Sequence, residues 1–177
     1  PDQKKERFIK DYSLNAYEAN VLVSEKEISD YFEEVVKNSD IKLAKNWIMG
    51  DLFASLNDKN ISISESPIKA KEMASLINTI SSGLISGRAA KEVFEVMKDS
   101  GGDPVEIIEK KGLKQKSDPK ELEILIDRIL DENKDKVAEY KSGKDKLFGF
   151  FVGQSMKVSG GTANPKLVND ILKKKLK

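Results

Sequence analysis

Apolar residues in this chain recur at three- and four-residue spacing between recognisable helix starts and stops. No stretch sustains the period-two alternation of a half-buried strand. That pattern confines the fold to the all-α class. Asn15 followed three residues later by Glu18 reads as a helix start. Ser24-Glu25-Lys26-Glu27 reads as a capping box, in which hydroxyl and carboxylate satisfy orphan amides reciprocally. Behind it Ile28, Tyr31, Phe32, Val35 and Val36 fall on one helical face, and Ile41, Ala44, Trp47, Ile48 and Leu52 form the stripe of the next helix. The polar stretch 57–66 predicts a loop. Ser66-Pro67 then predicts a new start, with serine as N-cap and proline in the first helical position. Met73, Leu76, Ile77 and Ile80 give that helix its buried side until Gly83. Ser86 opens another, which carries Ala89, Ala90, Val93, Phe94 and Met97 and stops at Gly101-Gly102. Asp103-Pro104 begins a short helix that closes at Gly112.

These elements predict a larger N-terminal helical domain over residues 1–112, a polar linker over 113–117, and a small tail domain over 118–177. Asp118-Pro119 opens the tail, and Leu122, Leu125, Ile126, Ile129 and Leu130 face one way on its first helix. A second stretch runs from Val137 through Leu147, Phe148, Phe151 and Met156, broken near Ser142-Gly143. A last helix starts at Asn164-Pro165 and carries Leu167, Val168, Ile171 and Leu172. The expected tail is therefore of three-helix type. At about sixty residues it lies near the lower limit for an independent core.

The chain has neither cysteine nor histidine, so disulfides, thiolate nucleophiles, the usual zinc cages and the commonest proton shuttle are all absent. Ser81-Ser82-Gly83 has no recognisable base beside it and reads as a helix end, and Glu33-Glu34 and Asp131-Glu132 lie on polar helix faces. No catalytic residue and no metal ligand is assigned. The lack of any long apolar run argues against a membrane span, and a cytoplasmic location is expected. The chain opens on proline, which suggests a segment of something longer.

Net charge is +1, but it is unevenly spread. From Lys141 onward nine lysines face only Asp145 and Asp170, a net +7 that suits an acidic partner such as nucleic acid or anionic lipid. Within that stretch Gly160 and Gly161 permit a tight turn, and Asn164-Pro165 presents a helix start just after it. A helix start of that kind can receive a phosphate on its amides, with Lys157 and Lys166 flanking. Lys141, Lys144 and Lys146 precede the glycine-containing helix and are candidates for the same face as Lys157. An ordinary capped turn with solvated lysines accounts for the same residues. Gly149 and Gly153, four apart on one helical face, permit close backbone approach to a neighbouring helix or to a ligand, with helix packing the expected use, and Trp47 sits at core spacing.

The segment Phe150-Phe151-Val152-Gly153-Gln154-Ser155-Met156-Lys157, continuing to Ala163-Asn164-Pro165 and a closing Leu-Val-Asn-Asp-Ile-Leu, resembles the tail of the B subunit of aspartyl/glutamyl-tRNA amidotransferases, and a related pattern ends the YqeY-type proteins. Arg7-Phe8-Ile9, Asn46-Trp47-Ile48, Ile85-Ser86, Ala90-Lys91 and Gly112-Leu113 are similar to that subunit's helical domain and hinge. The resemblance implies a role in converting Glu-tRNA(Gln) or Asp-tRNA(Asn) to the amide. It places glutaminase chemistry on the A subunit, and acyl phosphorylation with ATP and magnesium in an N-terminal domain outside this chain. No cofactor is then expected here. The expected partners are tRNA(Gln) or tRNA(Asn), the A and C subunits, and a glutamyl- or aspartyl-tRNA synthetase, with no membrane. The tRNA-binding residues implied by the tail segment and its lysines are Lys141, Lys144, Lys146, Gln154, Lys157, Gly160, Gly161, Asn164 and Lys166. Such tails commonly carry extra basic or amide side chains where this one has Gly160 and Thr162, which lowers the local charge. The competing reading is a protein-interaction or scaffolding module, and a free-standing enzyme is a third.

Overall fold

A computed structural model describes residues 2–115 and 118–177. Twelve α-helices run through the described residues with no β-strand among them. The chain divides into two compact units. One comprises Pro1–Ser82 with Lys91–Lys110, the other Gly83–Ala90 with Lys111–Lys177. Lys116 and Ser117 of the expected linker lie outside the described residues.

In the first unit, α1 (Asp2–Tyr12) packs on α2 (Ala16–Val23), and α3 (Lys26–Val36) packs on α2, α4 (Ile41–Trp47) and α6 (Ala70–Ser81). Phe8 and Phe32 are fully buried, and the Tyr12 ring stands edge-on to both. Tyr31 donates its hydroxyl to the Ile68 carbonyl at 2.9 Å, and burial, with the Glu72 charge second, pushes that phenol well above its ordinary range. Trp47 is a core residue, 5.6 Å from the Phe94 ring, with the Lys91 ammonium over its face at 4.6 Å.

Local chemistry explains where these helices begin. The Asn15 side chain accepts from the Glu18 amide at 2.8 Å, and Glu18 accepts in return from the Asn15 amide at 3.0 Å, the reciprocal box its spacing predicts. Ser24 differs from expectation. It adopts helical angles and donates its hydroxyl to the Val21 carbonyl, so it closes α2, and α3 starts after Glu25 without a side-chain cap. Ser66 differs too, because its hydroxyl turns inward around buried Ile68 and α6 begins only at Ala70. There the Lys69 amide donates to Glu72.

Nor is the 57–66 stretch a plain loop. A π-helical turn, Ile48–Leu52, runs on from α4 into α5 (Phe53–Lys59), which ends on left-handed Asn60. A short 3-10 turn, Ile63–Glu65, then buries Ile63. After α6 the chain continues through α7 (Gly87–Ser100) and α8 (Pro104–Lys111). The Asp103 side chain caps the start of α8 by accepting from the Val105 amide.

The second unit is built on α9 (Pro119–Glu132), α10 (Lys134–Lys141), α11 (Leu147–Val158) and α12 (Pro165–Lys175). The expected three-helix tail thus has four, because the break at Ser142-Gly143 separates two full helices. Gly143, at φ +120°, closes α10, with its amide on the Tyr140 carbonyl and the Lys144 amide on the Glu139 carbonyl. α9, α11 and α12 pack on one another around Leu122, Ile126, Ile129, Phe151, Ala163, Val168, Leu172 and Leu176. The segment 83–90 belongs to this unit as well, and its Leu84 carbonyl accepts the Gln115 amide at 2.7 Å.

Candidate nucleic-acid interface

Two glycines and two caps shape the corner between α11 and α12. At the end of α11 the Gly161 amide reaches back to the Met156 carbonyl at 2.7 Å and the Gly160 amide to the Lys157 carbonyl at 3.1 Å. This paired closure needs a left-handed residue where Gly160 sits at φ +65°. The Ser159 hydroxyl accepts the Ala163 amide, and the Thr162 hydroxyl donates to the Ser159 carbonyl at 2.6 Å. Ala163 is fully enclosed by the core of its own unit, and Gly161 and Thr162 are buried with it.

At the start of α12 the Asn164 side chain accepts from both the Lys166 and Leu167 amides, at 3.1 and 3.3 Å. Pro165 has no amide hydrogen, and the Val168 amide is held by the Asn164 carbonyl at 2.9 Å. The Lys166, Leu167 and Val168 amides are thus all taken up by Asn164, as in the ordinary capped turn that the sequence also allows, so these donors are engaged within the chain. The groups left for an anion at this corner are chiefly side chains.

Those side chains lie mainly on α11. Lys146, Gly149, Gly153 and Lys157 are spaced by three, four and four residues, which places them on one helical face, and all four are exposed. At 1.5 Å per residue the stripe is about 16 Å long. Neither glycine has any atom within 4 Å of where a Cβ would stand, so the expected helix packing at Gly149 and Gly153 is absent among the described residues and the backbone there faces solvent. Gln154 borders the stripe, half-buried, and the neighbouring Phe150 ring is covered by the Lys136 ammonium at 3.8 Å. Lys146, Lys157 and Lys166 form no ion pair with any described residue. Lys141 ends α10, exposed, and Lys144 in the following turn is neutralised by Glu139 at 3.2 Å. The Lys144 carbonyl accepts the Leu147 amide at the start of α11, at 3.1 Å, and no described side-chain contact joins Lys141 or Lys144 to Gly149, Gly153 or Lys157.

Because Gly153 sits in a helix interior with open space around it, Gly153→Ala is expected to stabilise the second unit by about 1 kcal/mol. A lowered midpoint in thermal or urea unfolding would contradict the open-face geometry.

Known proteins match the chain closely. The family model described as "GatB domain" matches residues 30–176. The chain belongs to this family. Across 99% of its length it is 63% identical to the B subunit of the aspartyl/glutamyl-tRNA(Asn/Gln) amidotransferase of Pelagibacter ubique (strain HTCC1062). It is 50% identical to the like-named protein of Ehrlichia ruminantium (strain Gardel) and 51% to that of Thioalkalivibrio sulfidiphilus (strain HL-EbGR7). In each case it covers 37% of the relative, so it spans little more than a third of their length.

The GatB domain match takes in parts of both units, and within it sequence reasoning overlooked one feature: the closing lysines do not act alike. Lys175 is clamped between Glu123 at 3.0 Å and Asp127 at 2.8 Å, which ties α12 to α9. The hydrogen bonds that Lys175 donates to Asp127 and then to Glu123 raise its pKa above the ordinary lysine value. The clamp is therefore complete at neutral pH and is lost only in alkali, as pH rises through that raised value. The polarity of the tail was legible in the sequence, whose first tail helix, opened at Asp118, holds most of the acidic residues of that half. α9 carries Glu121, Glu123, Asp127, Asp131 and Glu132 against Lys120 and Arg128, so the basic surface of the unit excludes this helix. Among the described residues no acidic cluster could hold a metal ion, and no helix is long and apolar enough to cross a membrane.

Proposed function

We propose that this segment holds transfer RNA for an aspartyl/glutamyl-tRNA amidotransferase, and that the sugar-phosphate backbone lies along the outward stripe of α11. The observation that carries the reading is the coincidence of free lysines with bare backbone: Lys146 and Lys157 bracket Gly149 and Gly153, and none of the four is covered. A rigid helix with no side chain between its two cations lets a polyanion approach closely, and each ammonium acts as a point charge on phosphate. Recognition of this kind follows the shape of folded RNA more than its base edges. The membership in a family whose relatives are named for tRNA-linked amidotransfer supports the same partner.

The chemistry of the whole subunit is part of this proposal. Amide formation on Glu-tRNA(Gln) or Asp-tRNA(Asn), with ATP and magnesium, is assigned to the portion of the relatives that this chain does not cover, and glutamine hydrolysis to an A subunit. The A and C subunits and a cognate synthetase are the proposed protein partners, in the cytoplasm. The present segment contributes grip and position, without bond-making.

The test is a titration of tRNA(Gln) and tRNA(Asn) against the assembled amidotransferase at a series of salt concentrations. K157Q and K146Q are each expected to lower the slope of log affinity against log salt by about one counterion, roughly equally for both tRNAs. Slopes unchanged in both variants would remove α11 from the RNA surface. Unchanged slopes with loss of subunit co-purification would instead support the scaffolding reading.

A further inference from the structure

We infer that Arg88 is a third cation of the RNA surface and grips a phosphate beside the Gly160-Gly161 turn, an inference that rests on the tRNA-binding reading above. Arg88 belongs to the segment 83–90, which clusters with the tail although some seventy residues separate it from the turn. Two contacts seat that segment there. The Ser86 hydroxyl donates to the Gly161 carbonyl at 3.4 Å, and the Arg88 Cδ stands 3.8 Å from where a Cβ on Gly161 would be. The turn has spent its own amides and hydroxyls on itself, so the adjoining guanidinium is the donor-rich group at this place.

Residue choice points the same way. Of 31 basic residues only three are arginine. Arg7 is bridged to Glu33 at 2.5 Å and Arg128 to Glu132 at 3.7 Å, whereas Arg88 is exposed and bridged to no described carboxylate. Glu92, one turn further along α7, and Asp170, one turn along α12 from Lys166, form no described ion pair with either cation. A planar fork with five donors and no partner among the described residues suits a phosphate better than the compact ammonium of lysine. Arg88, Lys157 and Lys166 thus come from three different helices, α7, α11 and α12, around one corner.

The experiment uses the assembled amidotransferase with tRNA as the probe. R88Q is expected to weaken binding about fivefold or more at low salt and to lower the salt slope by about one. R88K should restore the slope while leaving affinity below that of the unchanged enzyme, because the charge returns without the fork. K157Q measured in parallel separates the two readings. A slope lowered by K157Q but not by R88Q overturns the role of Arg88 and leaves tRNA binding standing. No change in either variant defeats the tRNA reading, and this one with it. A slope lowered by R88Q alone keeps Arg88 on the RNA and moves the remaining surface away from α11.

Discussion

Replacing Phe151 with alanine is expected to leave the second unit without a stable fold at physiological temperature. Phe151 is the one fully buried aromatic among the described residues of that unit and sits where α9, α11 and α12 meet, against Leu122, Ile126, Val168 and Leu172. Removing such a ring costs about 3–5 kcal/mol in lost transfer energy and cavity formation. A core of this size rarely supplies more than about 3–5 kcal/mol in total. The loss therefore matches the whole reserve. F151A should show a drop in far-ultraviolet helix signal and rapid proteolysis within residues 118–177. Trp47, the only tryptophan, lies in the first unit and reports on that unit separately. A well-protected tail in F151A, destabilised by less than about 1 kcal/mol, would show that other contacts hold it together.

The second large effect is expected at Gly101. This residue ends α7 with φ +67° and its amide on the Met97 carbonyl at 2.8 Å, and a Cβ there would stand 2.8 Å from the Pro67 carbonyl oxygen. A left-handed conformation alone costs a side-chain-bearing residue roughly 1–2 kcal/mol. The clash adds to it, because the obstacle is backbone held in the turn around buried Ile68 and cannot swing aside. Gly101→Ala is expected to cost roughly 2–4 kcal/mol, read from urea unfolding by Trp47 fluorescence. Gly102→Ala is the matched control. Its φ is +102° but nothing lies within 4 Å of its Cβ position, so only the conformational part should be lost. Equal losses at the two positions would mean that contact with Pro67 contributes nothing.

The sequence made the helices legible because their signals are local. Asn15 with Glu18, Asp118-Pro119 and Asn164-Pro165 all cap as their spacing predicts, and the glycines at 83, 101 and 112 all stand at positive φ after a helix. The misreadings arise where one side chain has two local uses. Ser24 and Ser66 each stand before a helix, yet Ser24 closes the element behind it and Ser66 wraps a buried isoleucine. Apolar spacing also runs smoothly through the Ile48–Leu52 π-turn and gives no sign of it.

The site was legible in part. Charge counting identified the basic end of the chain and located Lys146, Lys157 and Lys166, all exposed. Spacing could not tell that the Asn164 cap would consume the amides of α12, that Gly161 would be buried, or that Gly149 and Gly153 would face water. Each of these depends on what packs nearby. The approach of Arg88 to Gly161 joins residues 73 positions apart and leaves no local trace.

The corner after α11 is held by a run of bonds within itself, from the closure at Gly160 to the cap at Asn164, and by the Ser86 hydroxyl on the Gly161 carbonyl. Whatever molecule docks there meets a surface already set, and need not supply the free energy of organising a floppy loop. Association should then show little of the heat-capacity signature of coupled folding, and selectivity would reside in whether a partner's contour fits the corner as it stands.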